Sequence, residues 1–305
     1  MEETLLNSNL TIRQQATFKG ALLRFWLRVR KGMLLLSESR MALVGLALFS
    51  VVVFIAIFAP WLATHDPVIG DFFTINAPAS TEHYMGTDSL GRDIWSRIVY
   101  GARKVILVAG ITIPAQMIMG IIFGGLAGYK GGKTDNFIMR INDACLAFPG
   151  LVLFLALLAV IGVGLWQCMF ALTIGWTPSL VRMIRGLVLV ERERDYVKAA
   201  KLIGESDIMI LFRQIIPNVS SPLIVLSTIR TGGTILAFAS LTFLGLGPPP
   251  PDPSWGLMLN EAQDLMETAP MVAIWPGMMI FITVLGVNLL GDGLRDIFDP
   301  RLAEK

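Results

Sequence analysis

Charge is scarce in this chain. Asp, Glu, Lys and Arg make up 16% of its 305 residues and 54% are hydrophobic, against about 25% charged in an ordinary soluble domain. That shortage excludes a disordered chain and argues against a soluble enzyme, although length alone would suit about two soluble domains. Cysteine is also sparse. The two thiols, Cys145 and Cys168, fall near opposite ends of successive apolar stretches, too far apart to bond, and are expected to be buried apolar fillers. There are 25 bases and 23 acids, a balance that offers no electrostatic basis for nucleic-acid binding. No strand-borne Gly-rich loop ending in Gly-Lys-Ser/Thr occurs, so no nucleotide-binding loop is expected.

What is present in quantity is uncharged, apolar chain. A helix crossing a bilayer needs about 20 apolar residues. Met41 to Ala63 has no charge, nor has Val105 to Tyr129. Cys145 to Val181 is 37 residues without charge, about 55 Å as a helix and too long for one crossing. Gly162-Val-Gly164 near its middle suggests a hairpin. Val219 to Gly247 is apolar except for Arg230, and Met271 to Leu290 carries no charge. The pattern predicts an all-α membrane protein with six spans, near 41–63, 105–129, 145–162, 166–182, 219–247 and 271–290, forming one domain over 41–290. Residues 1–40 form a polar and basic N-terminal segment, and 291–305 a tail. The late start and length of the first apolar run do not suit a cleavable signal peptide.

Lys and Arg decide the orientation. With the N-terminus inside, the inner segments hold 20 bases and the outer segments 4, so both termini are expected in the cytoplasm. Within 1–40, Phe18, Leu22, Phe25, Trp26, Val29 and Met33 recur at helical spacing with Arg24, Arg28 and Lys31 on another face. This suits a helix lying in the inner interface.

The segments between spans carry the functional signals. The outer loop 64–104 contains Gly86-Thr-Asp88-Ser-Leu-Gly91-Arg92-Asp93, Ser96-Arg97 and Gly101-Ala-Arg103, which alone reads as turn chemistry with a few ion pairs. Gly120, Gly124 and Gly128 would let a neighbouring helix approach closely. The inner loop 182–217 reads as a short helix from Asp195 through Tyr196, Lys198, Ala199 and Ala200, bent at Gly204. A second helix follows over 208–214, capped by Glu205-Ser-Asp207 and ended by Pro217. Such an element is a natural docking plug, or else a solvated amphipathic loop. After Gly247, five prolines in six positions stiffen the loop, and Trp255 and Met258 suit an interface or a docked partner.

Taken together, these motifs resemble the inner-membrane permease subunits of ATP-binding-cassette importers for dipeptides, oligopeptides and nickel, specifically the C-type subunit. The first outer loop, with Asp88, Gly91, Arg92 and Asp93, is similar to that family's. Ala199-Ala200, Gly204 and Ile215-Ile-Pro217 resemble the Glu-Ala-Ala…Gly signature, with Lys198 in place of Glu and Ile216 in place of Leu. Ser240-Leu-Thr-Phe-Leu-Gly-Leu-Gly247 with Trp255-Gly256 resembles the end of the fifth span and its loop. Asn288-Leu-Leu-Gly-Asp-Gly-Leu-Arg-Asp296 with Asp299-Pro-Arg301 resembles the C-terminal signature.

The resemblance implies a type I importer permease fold and a heterodimer with a second permease. It also implies two ATP-binding subunits below and an extracytoplasmic binding protein above. Residues 196–214 would be the coupling helix, and ATP would be bound by partner subunits alone. The cargo would be dipeptides or oligopeptides, with nickel or another small solute as the alternative. Nickel favours His or Cys along the path, and the spans offer only Cys145 and Cys168. No Asp, Glu or His lies within a predicted span. That disfavours an ion-coupled secondary transporter, and no nucleophile–base pair or metal-ligand set at membrane depth suggests an enzyme. No catalytic, cofactor or metal residue is expected. Arg230, the one charge inside a span, either faces the shared pathway and attracts a substrate carboxylate, or snorkels or pairs with a neighbouring subunit.

Overall fold

The computed structural model describes residues 39–298. The expected interfacial helix over 18–36 and the Asp299-Pro-Arg301 motif lie outside the described residues. Among the described residues there is no strand, and the chain is helical almost throughout. Helix α1 spans Arg40–Ile57 and begins at Ser39, whose hydroxyl accepts from the Ala42 N–H at 3.3 Å. It gives way at Phe58 to a short turn, Ala59–Leu62, with Pro60 in its first turn. The uncharged run over 41–63 is therefore not one straight helix.

Helix α2, Ile94–Lys130, is the longest, with 37 residues. It starts eleven residues before the expected span. Asp93 supplies the reason: its carboxylate caps the helix by accepting from the Ser96 N–H at 2.8 Å. Arg97 and Lys104 in the added turns pair with Glu261 and Asp252 of other segments. The helix ends at Gly131, whose φ of +65° only glycine adopts readily. At 1.5 Å per residue, its two ends are about 55 Å apart.

The apolar run over 145–162 is not one helix. Helix α3, Gly132–Leu146, is amphipathic, and α4, Gly150–Ile161, has only 12 residues. The two meet at 92°, at a break where Pro149 is extended with ψ 134° and, as proline does, disfavours a continued helix before it. The hairpin break is where the glycines suggested: α4 ends at Gly162, and α5, Leu165–Glu191, begins after Gly164. Helix α5 runs nine residues past its expected end at 182, because Arg182 and Arg185 pair with Asp143 and Asp135 at 2.6 and 2.5 Å.

Helix α6 is Asp195–Leu202. Helix α7, Ser220–Phe243, stops four residues short of the expected limit because Gly245 turns the chain at φ +77°. Helix α8, Trp255–Glu261, lies in the loop after it, and α9, Met271–Phe298, continues the sixth span through the expected start of the tail. Among the described residues four helices (α1, α2, α7 and α9) are long and apolar enough to cross a membrane, five if the bent α3–α4 pair counts as one span. Helix α5 is long enough, but Gln167, Trp176, Thr177 and Arg182 lower its hydropathy.

Small residues hold the bundle together. A Cβ on Gly124 would stand 2.6 Å from the Val181 carbonyl oxygen, and one on Gly128 2.8 Å from that of Arg185. The glycine stripe thus brings α2 and α5 into backbone contact, as expected from its spacing. The C-terminal signature does the same for α9, whose Gly293 lies against Ala42 of α1. Two apolar cores result. One surrounds Ile98, Phe238, Leu241 and Trp255. The other surrounds Ile184, Val188, Val197, Ile210 and Leu211.

Candidate functional site

Three places in the fold gather the residues singled out by sequence. The first is the N-terminal end of α2. The turn at Gly91 has φ +69°, and a Cβ there would lie 1.9 Å from the Asp71 carbonyl oxygen. This turn aims Arg92 and Asp93 inward. Arg92 Nε donates to Asp88 Oδ2 at 2.7 Å and Arg92 Nη2 to Glu261 Oε2 at 2.8 Å. Arg97 is fully buried. Its Nη2 donates to the same Glu261 oxygen at 3.0 Å, its Nε lies 3.4 Å from Asp88, and its Nη1 donates to the carbonyls of Pro67 and Pro251. What looked like scattered surface ion pairs is a closed, buried network of two carboxylates and two guanidinium groups. Glu261 was not anticipated. Its only sequence signal was a lone acid near the end of an otherwise apolar helix.

Trp255 and Gly256 lock the same place, and the expectation for Trp255 and Met258 is corrected. Both side chains are buried, not displayed to a partner. The Trp255 indole N–H donates to the Ile98 carbonyl at 3.0 Å. Its ring lies on Gly101, where a Cβ would be 2.7 Å from Cδ1. Gly256 sits so close to α7 that a Cβ would meet the Ala239 carbonyl oxygen at 2.1 Å. A polar tip on a large apolar body accounts for the burial: the indole adds area to the core while its one donor finds a carbonyl. Beside this network His65 and His83 stack with ring centroids 4.6 Å apart, and Glu82 lies next to them.

The second place is the elbow at the far end of α2. Val197 and Ala200 of α6 are buried against the bundle, whereas Lys198 and Ala199 face outward. Ala200 therefore belongs to the elbow's internal packing and not to an exposed small-residue surface. Tyr196 donates to Glu191 Oε1 at 2.9 Å, and burial pushes its phenol above the ordinary value, so it remains a donor at neutral pH. Gly204 turns the chain at φ +84°.

Ser206 occupies the cap position without a side-chain bond, and Asp207 accepts from the Tyr129 hydroxyl at 3.0 Å. The expected second helix is three pieces: Asp207–Met209, a π-helical stretch Ile210–Ile215, and Ile216–Asn218. Pro217 has no N–H to donate, and the wide turn before it accommodates that loss. The outward surface is apolar: Leu202 is 89% exposed and Ile203 83%, with Ile208 and Met209 beside them. These large side chains, more than the small Ala199 and Ala200, make up the exposed apolar area.

The third place is a cavity of about 1100 Å³ along α5 and α7. Arg230 lies in its wall, near the middle of the 24-residue helix α7. Its guanidinium sits 5.2 Å from the Trp176 ring centre and hydrogen-bonds Ser179, with Met183 Sδ 3.7 Å away. Val225, Leu226, Ile229 and Leu187 make the rest apolar, and Arg295 adds a second cation. Among the described residues no carboxylate pairs with Arg230.

The description "Binding-protein-dependent transport system inner membrane component" matches residues 120–304, and "N-terminal TM domain of oligopeptide transport permease C" matches residues 25–79. The chain belongs to this permease family. It is similar to the Glutathione transport system permease protein GsiD of Escherichia coli O6:K15:H31 (strain 536 / UPEC), at 42% identity over 280 residues covering 91% of this chain and 90% of the relative. Its likeness to GsiD of Pectobacterium atrosepticum is 46% over 250 residues, or 81% and 83% of the two chains. Among solved structures, an inward-facing MetNI methionine ABC transporter matches with a TM-score of 0.56 at 17% identity, covering 67% of this chain and 97% of that one.

The last likeness shows the fold, a type I importer permease. The family match and the curated relatives make the chain a permease subunit of an ATP-binding-cassette importer and not an enzyme, and an inner-membrane protein. As such it works with ATPase and permease partners and a binding protein.

Proposed function

We propose that this permease forms half of a translocation pathway for short peptides, glutathione-sized molecules included, in a heterodimer with a second permease. Two ATPase subunits drive it and an extracytoplasmic binding protein feeds it. The observation that carries the peptide reading is the cavity along α5 and α7, apolar but for Arg230 and Arg295. A short peptide offers a terminal carboxylate to a guanidinium and carbon surface to the walls, and a guanidinium without a carboxylate partner is available for that pairing. The glutathione systems named for the relatives at 42–46% identity agree with such a cargo.

The elbow supports the mechanical part. In this reading the chain crosses the membrane six times with both termini in the cytoplasm, and α6 with Gly204 and Asp207 is the coupling element. Leu202 and Ile203 would enter a groove on one ATPase, since large apolar side chains so exposed gain most by being covered. Closure of the ATPase pair then moves the elbow, and α2 and α5, joined through their glycines, carry the motion across the membrane. Helices α3 and α4 supply the third crossing as a broken pair, and α5 supplies the fourth. Lys198 is exposed and lies 3.5 Å from Asp195, so the coupling proposed here does not rest on an ion pair from the signature's Glu.

The reading is tested by uptake in a strain lacking the chain and complemented with it. Labelled dipeptide or glutathione is expected to accumulate in an ATP-dependent manner. Nickel uptake without peptide uptake would replace the cargo. Reconstituted alone in liposomes, the chain is expected to accumulate nothing, and solute accumulation by the lone chain would overturn the whole scheme.

A further inference from the structure

The outer-end histidines have a second chemistry that the transport reading does not use. His65, Glu82 and His83 each bring one ligand atom to within 4.8 Å of the others. We propose that these three side chains bind a late first-row divalent cation, with Zn²⁺ as the reference metal. Two imidazoles and one carboxylate are a borderline-soft donor set that suits Zn²⁺ and leaves one tetrahedral position for water.

The surrounding hydrogen bonds prepare the rings for this role. His83 Nδ1 lies 3.0 Å from Asp93 Oδ1, so its N–H donates to a carboxylate. Asp93 is itself held by the Ser96 N–H at 2.8 Å and by the Thr64 hydroxyl at 3.3 Å. Thr64 spends its single proton on Asp93, so its oxygen accepts from His65 Nδ1 at 3.0 Å. Both Nδ1 atoms are thereby donors, and both Nε2 atoms keep a lone pair for a metal. A carboxylate behind a ligating imidazole is the arrangement that orients metal-binding histidines and raises their basicity.

Bonds of about 2.0–2.1 Å place tetrahedral ligands about 3.4 Å apart, so the trio must close by up to about 1.4 Å. Glu82 is exposed, so its side chain is free to rotate toward the two rings. The bound cation would tie the chain just after α1 to the segment before Gly86, on the carboxylate that caps α2. It would therefore staple the outer loop.

The test uses the full-length chain, free of affinity tags, solubilised and stripped with a chelator, then titrated with Zn²⁺ alone. One equivalent is expected to bind and to raise the melting temperature, as any ligand specific to the folded form does. His65→Ala and Glu82→Gln, both at positions where the chain is partly or fully exposed, should each weaken binding at least about tenfold with the unliganded melting temperature unchanged. Co²⁺ should give visible ligand-field bands that vanish in His65→Ala. Tighter binding of Ni²⁺ than Zn²⁺ with the same dependence on the three residues supports the site. Less than half an equivalent bound, or affinity untouched by both substitutions, overturns it. None of these readouts involves transport, so the outcome is independent of the cargo.

Discussion

Arg92 and Glu261 are 169 positions apart in sequence and 2.8 Å apart in the fold. Their contact, shared with the fully buried Arg97, fastens the loop before α2 to helix α8 beyond α7. Removing Glu261 leaves two buried guanidinium groups with Asp88 as their one carboxylate partner. Glu261→Ala is expected to cost about 3 kcal/mol, the scale of breaking a buried ion pair by deleting one partner. Thermal melting of the solubilised chain measures this, and a wild-type melting curve would show that the network holds nothing.

Trp255 and Gly101 test the packing beneath it. Gly101→Ala drives a methyl toward the indole, 2.7 Å from Cδ1, and overpacking of this kind costs about 1–3 kcal/mol. Trp255→Phe should be destabilising alone through its lost hydrogen bond to Ile98, yet the double variant should lose less than the two changes summed. Strict additivity in melting free energies would refute the contact.

At the elbow, Leu202→Asp and Ile203→Asp should leave insertion and melting unaltered because both side chains are exposed. ATPase retention in a pull-down should fall about tenfold or more for each, the worth of an apolar side chain kept from burial. Full retention by both variants would place the ATPase elsewhere.

Gly204→Val probes the same element through the backbone. Nothing lies within 4 Å of the added Cβ, but φ +84° strains any L side chain, by about 1–2 kcal/mol. The complex should still insert and hydrolyse ATP while uptake is lost. Undiminished uptake would count against a coupling role.

For Arg230, replacement by Leu should lower peptide uptake about tenfold, equivalent to about 1.4 kcal/mol of lost interaction. Lys should restore part of it, having the charge without the guanidinium fork. Normal transport by the Leu variant would remove Arg230 from the pathway.

The residue pattern by itself determined what depends on neighbours along the chain. A long uncharged stretch must be helical where no water can satisfy its backbone, which is why the apolar runs mark α1, α2, α7 and α9. Glycines at a spacing of four predicted the seam between α2 and α5, and the pair at 162 and 164 the break before α5. The order of the motifs also identified the permease family. Tertiary structure decided whatever depends on distant partners. Arg97 could lie inside a helix only because Asp88 and Glu261 surround it, and no local rule announces a partner more than 160 residues away. Trp255 turned inward because Gly101 leaves room for its ring and Ile98 offers it a carbonyl. His65 and His83, 18 positions apart, come together only because the cap of α2 draws both toward Asp93. Charge and hydropathy set the elements; closure of the chain on itself chose which charges are buried.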